Sequence, residues 1–516
     1  MTAIVAQRPS RAAAPLARGT TWILAGQLVF VACGYLLHAV LSRSLLPAEF
    51  GTYGVILGLL GWTEAALQNG VPWAIRRFIA QDPGALRTIV RSGLVWQMAL
   101  AALLLVTSWL LAPWFSARVN DPSMTRWLQL ALLDIIGMAL FMYYRGVLNG
   151  MRDFGAQGSV TAAYAAIKLL CSAALVWLGL GVSGALMGNI VGAVGGWLIA
   201  WWLVRPKVRA AKDPADDSAQ SMARYPGRSI LSFALPTIGF TLAGNFVLNI
   251  GLVAVKALVA DGPLVGYFVA ANYLGSAPNL LLVAFSMSLF PLVSGSIAAQ
   301  DVSLTRAYLR SAIRYMALCL FPGIAVVIGT SERLLTVVYP ADYAAGAPYL
   351  NLLIVSTGLY SMYMVFANTM LADGKVLLTA GLAGLLVPIS MILTWTMTAN
   401  MGPQGAALAA VGTTAVAVLM AGSYVMSRFA VALDWLSLAR IAAAALGVYA
   451  LTRLPIPGGL WLPPTYVMLG SVYLALLWIS GELKAGEFRA LLSLGRPTSR
   501  RGKMGDLLEP TDPSES

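Results

Sequence analysis

Arg43-Ser44-Leu45-Leu46-Pro47-Ala48-Glu49-Phe50-Gly51-Thr52-Tyr53 sits between two apolar runs, and Ala260-Asp261-Gly262-Pro263-Leu264-Val265-Gly266-Tyr267-Phe268 sits between two more. Further pairs follow in step. Gly181-Val182-Ser183-Gly184-Ala185 returns as Gly402-Pro403-Gln404-Gly405-Ala406, and the polar turn Asn149-Gly150 returns as Asp373-Gly374. The offsets are 215, 221 and 224 residues, so the register holds with small insertions. Each copy opens a block of six apolar spans. An even number means that both copies enter the membrane from the same side and are related by an axis roughly along its normal. Two such lobes enclose a cleft, and rocking them opens it to each side in turn.

The composition excludes a soluble protein. Apolar residues make up 59% of the 516, charged residues 11%, and mean hydropathy is +0.77. The apolar runs are about twenty residues long, enough to cross roughly 30 Å of hydrocarbon. They predict an all-α polytopic membrane protein of about fourteen spans. The predicted order is a cytoplasmic segment at 1–20, an N-lobe at 21–204, a flexible polar linker at 205–228 and a C-lobe at 229–430. Two additional spans follow at 431–480, then a cytoplasmic tail at 481–516, largely disordered. The first run is too long for a signal-peptide core and reads as a retained span.

The net charge of +13 reports orientation. With a cytoplasmic N-terminus, 27 of the 34 Lys and Arg residues fall on the inner side. That bias fixes N-in and C-in and leaves no case for nucleic-acid binding. Cys33, Cys171 and Cys319 lie in separate apolar runs without metal or disulfide spacing. His38 is the only histidine, so a histidine metal cluster is unavailable, and the outer loops are too short for a catalytic domain. No enzyme, metal or cofactor is predicted.

Arg43-x-Leu45-x-Pro47-x-Glu49-Phe50-Gly51-x-Tyr53 resembles the polysaccharide-transport branch of the multidrug/oligosaccharidyl-lipid/polysaccharide exporter superfamily. So do Phe233-Ala234-Leu235-Pro236, Val265-Gly266-Tyr267-Phe268 and Ser288-Leu289-Phe290-Pro291. The resemblance runs from about Arg18 to Gly422. It implies a cleft lined by the first, second, seventh and eighth spans. Its implied cargo is an O-antigen or exopolysaccharide unit on a polyprenyl diphosphate, flipped from the inner to the outer leaflet of the bacterial cytoplasmic membrane. Polymerase and chain-length proteins of a glycan assembly system are the implied partners. Members often carry an Asp late in the seventh span, where this chain has Gly251 or Leu252. Two relatives compete. A cation-coupled multidrug exporter would use a carboxylate in the first span, and Thr20–Ser42 has none. A lipid II flippase would carry several charges inside its first, second and eighth spans.

Charge within hydrocarbon costs roughly 2.5–3.5 kcal/mol on insertion scales, so each buried charge needs a partner or a task. Asp134 and Lys168 lie near the middles of the antiparallel fourth and fifth spans, roughly 21 and 16 Å above their shared inner turn. They can meet, either as a titratable pair that couples transport to an ion or as a salt bridge fixing two helices. Glu64, near the inner end of the second span, is a further coupling candidate or a hydrated carboxylate at the inner mouth. Arg76, Arg77 and Arg145 near the inner side are candidates for a diphosphate, which arginine binds bidentately; ordinary topology determinants are the alternative. Gln27, Tyr35, Asn245, Asn249, Tyr267, Asn272 and Tyr273 offer the amides and rings that sugars require, or they glue helices together.

Overall fold

A computed structural model of the chain describes residues 13–211, 227–279, 292–454 and 459–483, and every regular element among them is helical. Most of the expected tail, most of the expected linker and the Ser288–Pro291 motif lie outside the described residues. Eleven helical stretches among those described are long and apolar enough to cross a membrane. Two of them, Phe154–Ala210 and Val376–Phe429, run to 57 and 54 residues. Either would reach about 80 Å if straight, far beyond one bilayer. Each instead breaks at glycines with positive φ, Gly179 and Gly181 in one and Gly402 in the other. Each therefore supplies two of the expected crossings, while the expected span 264–290 is described only in part. Contacts divide the chain into two compact units, Met1–Gly266 and Tyr267–Ser516.

The first unit is built from α1 (Ala13–Ser44), α2 (Pro47–Asn69), α3 (Val71–Gln81), α4 (Leu86–Arg118), α5 (Met124–Leu132), α6 (Asp134–Gly150), α7 (Phe154–Leu175), α8 (Gly181–Ala210) and α9 (Gly227–Leu258), and it contains the start of α10 (Gly262–Gly275). The opening motif makes a helix start. Pro47 occupies the first turn of α2, where its missing N–H costs nothing, and the Glu49 carboxylate accepts from the Leu46 N–H at 3.1 Å. The two copies of the motif meet at their glycines. A Cβ on Gly51 would stand 2.7 Å from the Gly266 nitrogen, and one on Gly266 would stand 2.1 Å from the Pro47 carbonyl oxygen. No larger residue fits at either place.

Close backbone approach also seats α7. A Cβ on Gly26 would fall 2.4 Å from the Gly158 carbonyl oxygen, so α1 crosses α7 at a pair of glycines. Gly184, Gly188, Gly192 and Gly196, spaced four apart, form a seam on α8 against α7; added Cβ atoms would meet Leu175, Ser172, Lys168 and Tyr164 at 2.9, 2.3, 2.7 and 3.0 Å. Between lipid-solvated helices such small-residue seams replace the hydrophobic drive to associate. Helix α6 is buried along most of its length. By contrast α4 presents Val95, Leu103, Val106 and Leu110 outward, as a lipid-facing helix does.

The second unit contains α11 (Val302–Val338), α12 (Ala347–Ala372), α13 (Val376–Phe429), α14 (Trp435–Thr452) and α15 (Leu462–Ile479). Asp301 and Asp434 cap α11 and α14, accepting from the Leu304 and Ser437 N–H groups at 2.9 and 3.1 Å. Helix α15 is tied to α11 by Tyr473, whose hydroxyl donates to the Leu318 carbonyl at 3.1 Å, and by the Tyr466–Thr330 hydrogen bond at 2.8 Å.

Candidate functional site

The buried charges of the first unit converge. Asp134 opens α6 after a break at Leu133, and its carboxylate accepts from the Asn189 amide on α8 at 2.9 Å. Its other oxygen and the Asn189 amide oxygen are buried without a hydrogen bond. Among the described residues no ion pair joins Asp134 to Lys168. Lys168 sits on the α8 seam at Gly192, its ammonium 5.9 Å from the centre of the Tyr164 ring. From there it acts electrostatically on Asp134, on Glu64 of α2 and on His38 of α1. Tyr164 stacks on Phe141 at 4.6 Å. His38 on α1, Glu64 on α2 and Asp134 on α6 thus lie within electrostatic reach of one Lys on α7.

Below this cluster, toward the basic side, two arginines approach each other. Arg76 lies on α3 and Arg145 on α6, half-buried and near enough to repel. Gly150 allows the approach, since a Cβ there would stand 3.2 Å from the Arg76 Cα. Each guanidinium lies over a ring, Trp73 at 5.3 Å and Phe141 at 5.6 Å. The Nε of each is buried without a hydrogen bond, and no carboxylate pairs with either among the described residues. Among the described residues the two cations have no counter-ion, which leaves their positive charge uncompensated. Arg77, one residue on, is exposed and faces elsewhere.

At the opposite end Lys256 of α9 bridges Asp121 at 2.8 Å and donates to the Thr52 hydroxyl at 3.1 Å. Burial works to raise the Asp121 carboxyl. Hydrogen bonds from Lys256, Ser123 and the Met124 N–H prevail and hold it below its ordinary 3.8. On the inner side Asp153 caps α7 and pairs with Lys207. Burial again opposes, and the Lys207 and Ala156 hydrogen bonds keep that carboxyl below its ordinary value.

A family model described as polysaccharide biosynthesis protein matches residues 16–296, more than half of the chain. The chain belongs to the polysaccharide biosynthesis protein family. Uncharacterized proteins of Mycobacterium tuberculosis and Mycobacterium bovis are each 26% identical to it over 209 residues, 39% of this chain. The chain spans about half the length of these curated relatives, 47%. Among solved structures, the lipid II flippase MurJ in an inward closed conformation matches with a TM-score of 0.66 at 14% identity, covering 90% of this chain and 100% of that one. An inward-facing multidrug resistance MATE family transporter of the MOP superfamily matches with a TM-score of 0.63 at 15% identity, covering 79% of this chain and 98% of that one. A MOP superfamily transporter from Pyrococcus furiosus gives 0.59 at 14% identity, over 81% of this chain and 95% of that one. At such identities the likeness establishes the fold, which is that of a multi-pass membrane transporter.

In this polysaccharide biosynthesis protein the sugar-binding candidates divide between the units. Gln27, Tyr35, Asn245 and Asn249 are half-buried in the first. Asn245 and Asn249 each donate to a carbonyl one turn back, Thr241 and Asn245, at 3.0 Å. Tyr267, Asn272 and Tyr273 are half-buried in the second, where Tyr267 packs edge-on against Tyr343 at 5.2 Å. Where members often carry the late Asp, Leu252 packs toward Gly58: a Cβ there would be 3.0 Å from the Leu252 Cδ1. Asn189 and Tyr164 belong to the charged cluster although nothing in the expected site included them. The available signal was a lone amide in a glycine-rich span.

Proposed function

We propose that this protein is a flippase of the bacterial cytoplasmic membrane. It carries an oligosaccharide on a polyprenyl diphosphate, an O-antigen or exopolysaccharide unit, from the inner to the outer leaflet. The observation behind this reading is the pair Arg76 and Arg145: two half-buried guanidiniums with no counter-ion among the described residues, on the side that the basic bias assigns to the cytoplasm. A diphosphate entering from the inner leaflet supplies the missing anion, and Arg77 adds an exposed cation on the approach. Alternating access of the N-lobe and C-lobe, at 21–204 and 229–430, moves the cargo, with amides and rings such as Gln27, Tyr35, Asn245, Asn249, Tyr267, Asn272 and Tyr273 meeting the glycan. Polymerase and chain-length proteins would receive it.

Glu64, Asp134 and Lys168 are the proposed coupling groups. A buried carboxylate with a single hydrogen bond neutralises itself either by taking a proton or by drawing in Lys168. Arg145 lies over Phe141 and Lys168 over Tyr164, and the two rings stack, so arrival of an anion at the Arg pair changes the field that these groups feel. The test is the double substitution Arg76→Gln with Arg145→Gln. It should stop surface glycan and leave polyprenyl-linked glycan on the inner leaflet, with the protein still inserted; undiminished surface glycan would overturn the assignment. A second reading, lipid II transport, is favoured by the extent of the MurJ match. Rescue of a strain lacking its lipid II flippase separates the two.

A further inference from the structure

The second unit holds an apolar cavity of about 930 Å³ between α11, α12 and α13 on one side and α14 on the other. Its walls are Leu, Ile, Ala, Val, Phe and Met side chains with Trp435, Tyr449 and Ser423, and Gly358 and Gly422 leave it wide. A space this large and this apolar holds no water, which needs two or more polar partners. Its lining residues lie on helices long and apolar enough to cross a membrane, so an acyl chain suits it. The lining runs along α11 from Ile313 to Ile328 and along α14 from Trp435 to Tyr449, roughly 21–23 Å. That exceeds the roughly 15 Å of one leaflet's hydrocarbon, which suits a chain held straight.

The cavity does not end in hydrocarbon. Ile313, Leu433 and Leu438 also line a polar recess of about 410 Å³ at the basic end of α11 and α14. Arg310, Arg314, Arg440, Asp434 and Glu482 surround it, three cations against two carboxylates. Both acids are engaged. Asp434 caps α14, and Glu482 takes Arg314 at 2.7 Å and the Ser437 hydroxyl at 2.5 Å. Arg440 reaches Glu482 only at 3.9 Å, and Arg310 is exposed with no partner among the described residues. Among the described residues one positive charge is left over at the mouth of a chain-shaped slot.

We propose that this slot and recess form a binding site for an anionic phospholipid of the inner leaflet, its acyl chain along α14 and its phosphodiester between Arg310 and Arg440. A single surplus charge matches a phosphodiester monoanion and falls short of a diphosphate. The site is thus one for a resident lipid, separate from the Arg76–Arg145 pair and independent of what the protein carries.

Native mass spectrometry of the full chain in detergent, offered phosphatidylglycerol and phosphatidylcholine of equal chain length, tests this. Phosphatidylglycerol should be retained about fivefold over phosphatidylcholine, and inorganic phosphate should not compete. Arg310→Gln with Arg440→Gln should bring the ratio near one. Ala442→Trp, filling the slot and leaving the arginines, should lower retention of both lipids. Equal retention by the unaltered protein, an unchanged ratio in the Arg variant, or displacement of phosphatidylglycerol by equimolar polyprenyl phosphate would each overturn it.

Discussion

Gly181 and Gly402, counterparts in the internal repeat, hold nearly the same backbone conformation: φ 53°, ψ −136° and φ 61°, ψ −145°. Each stands where a long apolar helix doubles back. Three residues later the likeness persists. A Cβ on Gly184 would stand 2.9 Å from the Leu175 carbonyl oxygen, and one on Gly405 2.0 Å from that of Met397. The duplicated Gly-x-x-Gly-Ala is therefore a duplicated turn, one glycine for the reversal and one for the return helix to close on the outgoing one.

Alanine at Gly181 or Gly402 should cost about 1–3 kcal/mol, since L-residues avoid this region of backbone space. Nothing lies within 4 Å of either Cβ position, so the penalty is conformational and not steric. Gly34→Ala, equally open but inside α1 with helical backbone, is the control and should be neutral or slightly stabilising. Thermal unfolding in detergent reads all three. Equal behaviour would refute the backbone argument.

The α7–α8 seam should respond by position. Gly188→Ala places a Cβ 2.3 Å from the Ser172 nitrogen, whereas Gly195→Ala meets only the tip of Ile167 at 2.9 Å. Backbone cannot yield and a side-chain tip can. The first should lose roughly 1–3 kcal/mol and the second less than half of that. Chemical denaturation of the two variants side by side measures the difference.

The apolar spans and the repeated glycine turns were legible because run length and glycine act locally. One turn misled. The Asn149-Gly150 pair matches Asp373-Gly374 in sequence, but the left-handed residue is Arg152, with φ 59°, against Gly374 at 75°. In both turns the next N–H bonds back five residues, Asp153 to Leu148 and Lys375 to Met370, so Arg152 is the counterpart of Gly374. Partners across helices were harder. Depth along a span places Asp134 and Lys168 at similar heights, but which side chain turns inward depends on helix rotation, and the glycine seam that sets it is a property of α8. Arg76 reads as part of a connection, yet α3 continues the chain as a helix beyond a kink at Gly70 and turns that arginine toward Arg145.

Asp134 and Asn189 can be tested as a pair. Asn189→Leu leaves the carboxylate with no donor among the described residues and should cost about 3–5 kcal/mol. Asp134→Asn removes the charge and should be milder. The exchange Asp134→Asn with Asn189→Asp keeps one carboxylate and one amide facing each other, so expression and thermal stability should recover relative to Asn189→Leu. An exchange variant no better than Asn189→Leu would show that the contact contributes little.

The outer contact of Lys256 with Asp121 carries a defined pH signature. Because the folded-state carboxyl is held below its ordinary 3.8, its contribution is complete at any pH above that value and fades as pH falls through the folded-state value. The pair is partly exposed, the Asp121 side chain at 22%, so the contribution should be below about 1 kcal/mol. Asp121→Asn should therefore lower thermal stability slightly and equally at pH 7 and pH 5, and converge with the unaltered protein as pH falls through the folded-state value. Lys256→Met should give a similar loss at neutral pH, and combining the two should add little, since they break one interaction. High salt should shrink all three differences. A deficit in Asp121→Asn that does not shrink as pH falls through the acid range, or that high salt leaves unchanged, would mean that the carboxylate acts through packing and not through its charge.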